Sequence, residues 1–501
     1  LPLDAHITND QVTLQGKAHF TQVHLGRVVM DRDIDNGTID LNVTMNGMNF
    51  SGDGTLGTWP FNATGQINFM NAGPLHEIEN VEATAHITPE QAGPPASSHF
   101  TGVATLEASY HGMSDGTATS SLLLKLQETD IHIPLWHKPM GQPAEAGAEL
   151  ALRKGQLAAV TNLHATGPQL DLMGSAKLSR GANGLTIPYF RIGQSFGSAR
   201  FRIPENKNSP IGVTVRARLL DLSPLLDEEP TQKDSSSLHI PEAASGRLHG
   251  QPTRPWLISA HADTVLINKT GRLNDVQADL SHNGSRIEKM HISTAFPVAA
   301  RADLIPTGKQ RDLNIDVADL GRLAAETGLS ENILGGHAIL KGSFNDTRAS
   351  APFRGLLTIS PFVLKNVPSA LITARNLSIY GWLNAVGKDS FKVSHFNLPL
   401  TYSNGILTVQ EGRAGNSALG ATFNGPLNLD QSTISVDGTI VPAFVLNTFP
   451  GHLPGIGGLL SPEKDGGLLA IKFKIRGKFD DPDFSISPMS IFLPGVLRNI
   501  L

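Results

Sequence analysis

The chain has 501 residues, 40% of them apolar and only 17% charged, with a net charge of −5 and no cysteine. The missing cysteines exclude a disulfide framework and zinc-thiolate sites, and without a Lys/Arg cluster interleaved with aromatics the footprint of a nucleic-acid binder is absent. Fifty glycines, 32 prolines and few aromatics suit many short strands joined by turns rather than long helical arrays.

In chain order, strand signals come first and recur throughout. Apolar and polar residues alternate over Ile39–Asn46, then Leu122–Gln127, Val213–Leu219, Leu313–Val317, Ile434–Val436 and Leu469–Ile475. Period two puts the apolar side chains of each run on one face. Asn-Gly pairs at Asn46–Gly47, Asn183–Gly184, Asn283–Gly284 and Asn404–Gly405 predict hairpin turns. A loose repeat, in which a turn glycine restarts an alternating strand, shows at Lys154–Leu157, Asn404–Leu407 and Gly425–Leu429. Helix signals are few. Asp316–Gly328 has helical apolar spacing, an Asp near its start and a Gly at its end. Ser378–Val386, Pro442–Phe449 and Pro488–Leu501 are further short candidates. Linker composition marks Gln91–Ser98, Lys138–Ala148 and the polar run Asp227–Ser245. The last divides the chain into 1–226, a loop or linker at 227–245, and 246–501.

So many half-apolar strands need a cover. A second sheet, a helical layer or an apolar ligand inside a curled sheet would each supply one. The helices are too few, and the pattern alone leaves tandem sandwiches and a curled sheet both open. In a curled sheet the inward set is Ile39, Leu41, Val43 and Met45; Leu122, Leu124 and Leu126; Val213, Val215 and Leu219; Leu313, Ile315 and Val317; Ile434, Val436 and Ile440; and Leu469, Ile471, Phe473 and Ile475. A protein-filled core is the plainer reading of the same residues. At the C-terminus Ile491, Phe492, Val496, Leu497, Ile500 and Leu501 form an apolar tip, suited either to a membrane interface or to packing on the end of the sheet.

Catalytic chemistry finds no foothold. There is no P-loop and no Gly-x-Ser-x-Gly elbow. His132 and His137 are close in sequence but have no carboxylate at zincin spacing, so no metal or other cofactor is expected. A carbohydrate-acting β-solenoid enzyme would need acidic pairs and aromatic platforms, and Trp and Tyr number four each. No stretch approaches the ~18 apolar residues of a spanning helix. No signal peptide is visible, and a chain opening on Leu1 fits a processed product or a fragment.

The last sixth of the chain carries an ordered set of blocks: Gly438–Thr439 followed by Pro442 and Asn447, Pro454–Gly455 with Leu459–Leu460, the strand up to Gly477, Asp481–Pro482, Ser487–Ser490, and Pro494–Arg498. Their order and spacing resemble the C-terminal signature of the bacterial AsmA-like family, in particular its long YhdP-like members. The match is strongest over 316–501. The resemblance implies a mainly β fold, an elongated, curled antiparallel sheet forming an apolar groove with a few short helices. It implies a non-enzymatic protein of the periplasm and cell envelope, anchored in the inner membrane by a segment absent from this chain. Phospholipid would be its cargo, moved between inner and outer membrane in outer-membrane biogenesis, with no further cofactor. The alternative is a structural β-rich envelope protein without bound lipid. Protein partners cannot be named from these residues.

Overall fold

The computed structural model describes residues 15–29, 32–70, 76–92, 99–133, 135–178, 181–226, 254–269, 271–366, 390–417, 419–442, 471–479 and 482–487. The helix candidates at 378–386 and 488–501, nearly all of 442–449, the polar run at 227–245, Leu469 and the six tip residues from Ile491 to Leu501 lie outside the described residues.

The fold is mainly β. The chain divides into two compact units, Leu1–Lys207 with Ile211–Arg216, and Asn208–Pro210 with Ala217–Leu501. The first holds β1 (Gln15–Val29), β2 (Arg32–Thr44), β3 (Gly47–Leu56), β4 (Trp59–Asn68), β5 (Glu77–Ile87), β6 (Phe100–Gly102), β7 (Ala104–Met113), β8 (Thr117–Lys125), β9 (Thr129–Ile133), β10 (Trp136–Lys138), β11 (Glu145–Arg153), β12 (Gln156–Gly167), β13 (Leu170–Lys177), β14 (Ala182–Ile192) and β15 (Ser195–Pro204). Strand β16 (Ile211–Asp221) has residues in both units. The second unit holds β17 (Trp256–Leu266), β18 (Arg272–His282), β19 (Ile287–Thr294), β20 (Ala300–Thr307), β21 (Gln310–Val317), β22 (Ile333–Gly335), β23 (Ala338–Asn345), β24 (Phe353–Ile359), β25 (Phe362–Lys365), β26 (Ser390–Val393), β27 (His395–Ser403), β28 (Ile406–Gly415), β29 (Leu419–Asn428), β30 (Thr433–Pro442), β31 (Ile471–Lys478) and β32 (Pro482–Ser487).

Each unit is an antiparallel meander. In the first, pairing runs β1–β2–β3–β4–β5–β7–β8–β11–β12–β13–β14–β15. In the second it runs β17–β18–β19–β20–β21–β23–β24–β27–β28–β29–β30–β31–β32. Strand β16 also belongs to the large sheet, and the remaining six strands form two small three-stranded sheets, β6–β9–β10 and β22–β25–β26.

The two small sheets reveal a duplication. Strand β5, a one-turn helix Pro89–Ala92, then β6, β7, β8, β9, β10 and β11 repeat as β21, the helix Leu320–Glu326, then β22, β23, β24, β25, β26 and β27. The register repeats as well. Phe100, Thr101 and Gly102 face Ile131, Asp130 and Thr129, as Ile333, Leu334 and Gly335 face Leu364, Val363 and Phe362. One supersecondary unit thus occurs twice, a stronger regularity than the loose turn repeat in the sequence.

Local chemistry explains the elements. Between β27 and β28, Asn404 and Gly405 adopt φ +55° and +77°, the paired positive angles of a two-residue hairpin turn. The helix Leu320–Glu326 is capped by Asp319, whose Oδ1 accepts from the Arg322 N–H at 3.0 Å, and it stops at Thr327. Asp316 and Val317 still belong to β21, so the helix starts later than its sequence signal. Asn183–Gly184 is not a turn. It lies inside β14, because the reversal ahead of that strand uses Gly181 at φ +90°. The linker drawn over 138–148 is mostly strand at its ends, since β10 closes on Lys138 and β11 opens on Glu145.

One buried ionic cluster ties hairpin ends together in the second unit. Arg311 donates from Nε and Nη2 to Asp346 at 2.9 and 3.1 Å and from Nη1 to the Ile287 carbonyl at 2.5 Å, and its guanidinium stacks 4.8 Å from the Phe344 ring. Arg286 adds a 3.0 Å contact to Asp346. Removing one partner of a buried pair leaves an uncompensated charge. Arg311→Ala is therefore expected to cost about 3–5 kcal/mol, read as a lower denaturant midpoint of the full chain, and Arg311→Lys to recover only part of that loss.

Candidate functional site

Register decides which side chains share a face. In the second unit one cross-strand row reads Ala300, Val317, Ala338, Ile359, Phe396, Ala414, Ala421 and Ile440. The next row on the same face reads Ala260, Ala278, Ile292, Ala302, Ile315, Leu340, Leu357 and Leu398. A third reads Ile258, Leu280, Met290, Leu304, Leu313, Gly342, Gly355, Leu400 and Val409. No polar side chain interrupts these rows. The opposite face is hydrophilic, with Arg301 beside Asp316 and Asn397 beside Arg413. Histidines there pair with carboxylates: His291 lies 2.7 Å from Asp303 and His337 2.7 Å from Asp316.

The first unit follows the same rule. Phe20, Ile39, Gly52, Ala63, Ala83, Ala108, Leu122 and Ala148 form one row. Phe61, Ala85, Leu106, Leu124, Ala146, Ala165, Leu172 and Phe190 form another. Phe20 stays 48% exposed, so nothing in the described chain covers that end of the face.

Most residues expected to line a groove fall on these faces. Ile39, Leu41 and Val43 share one side of β2, Leu122 and Leu124 one side of β8, and Leu313, Ile315 and Val317 one side of β21. On β16, Val213, Val215 and Leu219 alternate with exposed Thr214, Arg216 and Arg218. Ile434, Val436 and Ile440 share a face of β30, and Phe473 and Ile475 extend it on β31, where Ile471 follows by backbone register. Lys474 is exposed on the other side, and Arg476 forks onto Asp437 with two 2.8 Å contacts. Two residues leave the pattern. Met45 sits in the β2–β3 turn, where the chain has already reversed and Thr44 faces Gly47. Leu126 lies just past β8, in the turn that Thr129 closes onto its carbonyl.

The alternation rule overlooked the bulged strands. In β12, β14 and β28 an extra residue shifts the register at 160–163, 187–190 and 409–412. Pro188, which has no N–H for a ladder, sits in the second of these, and Asn162 and Glu411 adopt positive φ in the others. Each bulge changes the phase of the pattern by one, so Leu163, Phe190 and Ala414 return to the apolar face.

One end of the second unit's face is self-covered. Leu320 and Leu323 of the helix, with Ile333, Phe362, Leu364, Phe391 and Val393 of the small sheet, pack on Val317, Ala338, Ile359 and Phe396. Phe391 also reaches the neighbouring cluster of Leu419, Ile440 and Phe473. At the opposite margin His282 is buried and stacked 4.9 Å from Trp256, and its Nδ1 accepts from the Gly284 N–H at 3.0 Å. Burial lowers its pKa. The unfolded chain then binds a proton more readily than the fold does below the ordinary histidine range. Stability should be full above about pH 6.5 and fall as pH drops below it. Melting curves across that range should show the slope, and His282→Phe should flatten it.

The small sheet of the first unit brings together Asp130, His132 and His137, whose ligating atoms lie within 4.8 Å of one another. Beneath them Lys138 is fully buried and donates from Nζ to the carbonyls of Thr129 at 2.5 Å and Gln127 at 3.3 Å. Burial pushes its ammonium below the usual lysine range, while Asp130 and Glu128 pull it back. Zincin spacing belongs to a helix, whereas Asp130 and His132 lie on the strand Thr129–Ile133. On a strand Asp130 and His132, two apart, share a face.

Comparison with protein-family models, curated proteins and solved structures finds no match to this chain.

Proposed function

We propose that this protein is a lipid-transfer protein of the bacterial cell envelope, whose sheet curls into a groove that shields phospholipid acyl chains between inner and outer membrane. One observation carries the reading: three adjacent apolar cross-strand rows each run without interruption over eight or more strands of a single face, with the charged cluster around Arg311 confined to its margin. An acyl chain in water costs about 0.8 kcal/mol per exposed CH₂. A continuous apolar floor lowers that cost along the whole route, and head groups stay in water at its rim. Non-directional contacts let the chains slide, and no catalytic residue is required. The C-terminal blocks that resemble the AsmA-like family support the same assignment.

Native mass spectrometry of the purified chain tests it. Adducts of phospholipid mass that disappear on delipidation are expected. A chain that is free of lipid, and stays free after mixing with phospholipid vesicles, would favour a structural envelope protein. The self-packed cover over Val317 and Ile359 favours that second reading for its own end of the face.

A further inference from the structure

We propose that Asp130, His132 and His137 form a binding site for a divalent transition-metal ion of the zinc class, presented on the outer face of the β9–β10 hairpin. The inference does not depend on the lipid reading. His132 and His137 are a directly opposed cross-strand pair, with ring centroids 4.6 Å apart. Asp130 lies two residues before His132 on the same strand, and its Oδ1 stands 3.6 Å from His137 Nε2. A tetrahedral zinc ion with bonds of about 2.0–2.1 Å holds its ligand atoms roughly 3.4 Å apart. The Asp130–His137 spacing already suits such an ion, and all three donors are within 4.8 Å, a gap that side-chain rotation at an exposed position closes. Two imidazoles and a carboxylate match borderline ions such as Zn²⁺, and three protein ligands leave a fourth position for water or an anionic oxygen.

The frame beneath the ligands is fixed. Alternation along the hairpin sends Trp136 and Lys138 inward and His137 outward. Trp136 is buried and donates from Nε1 to the Pro168 carbonyl at 2.6 Å. Lys138 ties down the carbonyls of Gln127 and Thr129, which flank the start of β9. The ligating side chains therefore project from a backbone anchored on both strands.

The duplicated element provides an internal comparison. By register, the positions of Asp130, His132 and His137 correspond to Val363, Lys365 and Ser390 in the second unit. That copy builds the same three-stranded sheet with no ligating side chain at any of the three places. The topology does not require histidines or a carboxylate there, so the set in the first unit is an addition to the scaffold.

The experiment titrates Zn²⁺ into the full chain, freed of metal, by calorimetry. One saturable ion per chain is expected. His132→Ala and His137→Ala should each weaken it at least ~100-fold, the upper end of what losing a mere supporting partner costs, and Asp130→Asn about 10-fold. His337→Ala, which breaks a His–Asp pair in the other unit, should leave it unchanged. Co²⁺ in the same site should give the visible bands of a four-coordinate ion. All three ligands are at least partly exposed, so the variants should melt like the parent without metal; if an alanine variant does not, His132→Asn replaces it. Absence of saturable binding, or binding that survives both histidine variants, would overturn the proposal.

Discussion

A carboxylate placed at Leu398 or Leu340 is expected to cut phospholipid passage roughly a thousandfold, while Asn397→Asp leaves it unchanged. Leu340 and Leu398 are half-buried in the middle apolar row, and Asn397 is exposed one residue away on the polar face. Acyl chains sliding over the row would have to cross an unpaired charge, a barrier of about 4 kcal/mol, and each 1.36 kcal/mol is tenfold in rate. Transport needs an unbroken path, so a single charged step is enough. Half-buried sites are chosen because Asp at fully packed Val436 or Ile440 would unfold the sheet instead of blocking it. The measurement is crosslinking of a photoactivatable phospholipid at positions on both sides of the substitution, with melting curves to show that the fold survives. If folded Leu398→Asp and Leu340→Asp proteins pass lipid at the parent's rate, the continuous path is wrong and the ligand-free envelope reading stands.

The fold class and the two faces were legible because alternation is a local signal. Over 39–43 of β2, 313–317 of β21 and 434–440 of β30 every second residue is apolar or glycine, and a register slip would bury Asp40, Asp316 or Asp437. Bulged strands hid the rest. In β28, Ile406–Gly415, the apolar phase changes at Gln410–Glu411, and only pairing with β29 shows that Val409 and Ala414 share a face. Pairing at long sequence distance leaves no local trace, so β6 with β9 and β22 with β25 were invisible, and the duplication with them. The Asp130–His132–His137 cluster was half legible: residue types and spacing are in the sequence, but the tight β9–β10 hairpin that opposes the two histidines is not.

The duplication bears on how such a face could be extended. A repeated unit of four main-sheet strands with a small three-stranded sheet lengthens the apolar rows without any new fold. The two copies differ where function could differ. In the second, the helix and small sheet bury apolar side chains on the main face. In the first, the corresponding sheet is held by a tryptophan, a lysine and backbone carbonyls.

On the apolar face of the second unit rings lie across glycines, and a large stability effect is expected there. Phe353 is buried, and its ring covers Gly342 and Gly355, which face each other across β23 and β24. Phe50 over Gly65, Phe423 over Gly412 and Phe473 over Gly438 repeat the arrangement. Glycine weakens a strand by roughly 0.5–1 kcal/mol relative to alanine, and an aromatic side chain laid over it restores apolar cover. A Cβ at Gly355 would stand 2.6 Å from Phe353 Cζ and 2.8 Å from the Lys341 carbonyl oxygen. The ring has little room to retreat, because Phe344 packs 4.8 Å from it. Gly355→Ala should therefore cost about 1–3 kcal/mol by overpacking, and Phe353→Ala about 3–5 kcal/mol through the cavity left behind. The double variant should be more stable than the sum of the two losses by about 1–2 kcal/mol, because the added methyl then occupies part of the vacated space. Denaturant midpoints of the four proteins supply the cycle. Simple additivity would show that the ring and the glycine do not act together. Under the lipid reading the same substitution has a second consequence: a ring lifted off Gly355 projects from the floor, so a folded Gly355→Ala protein should also carry less phospholipid than the parent.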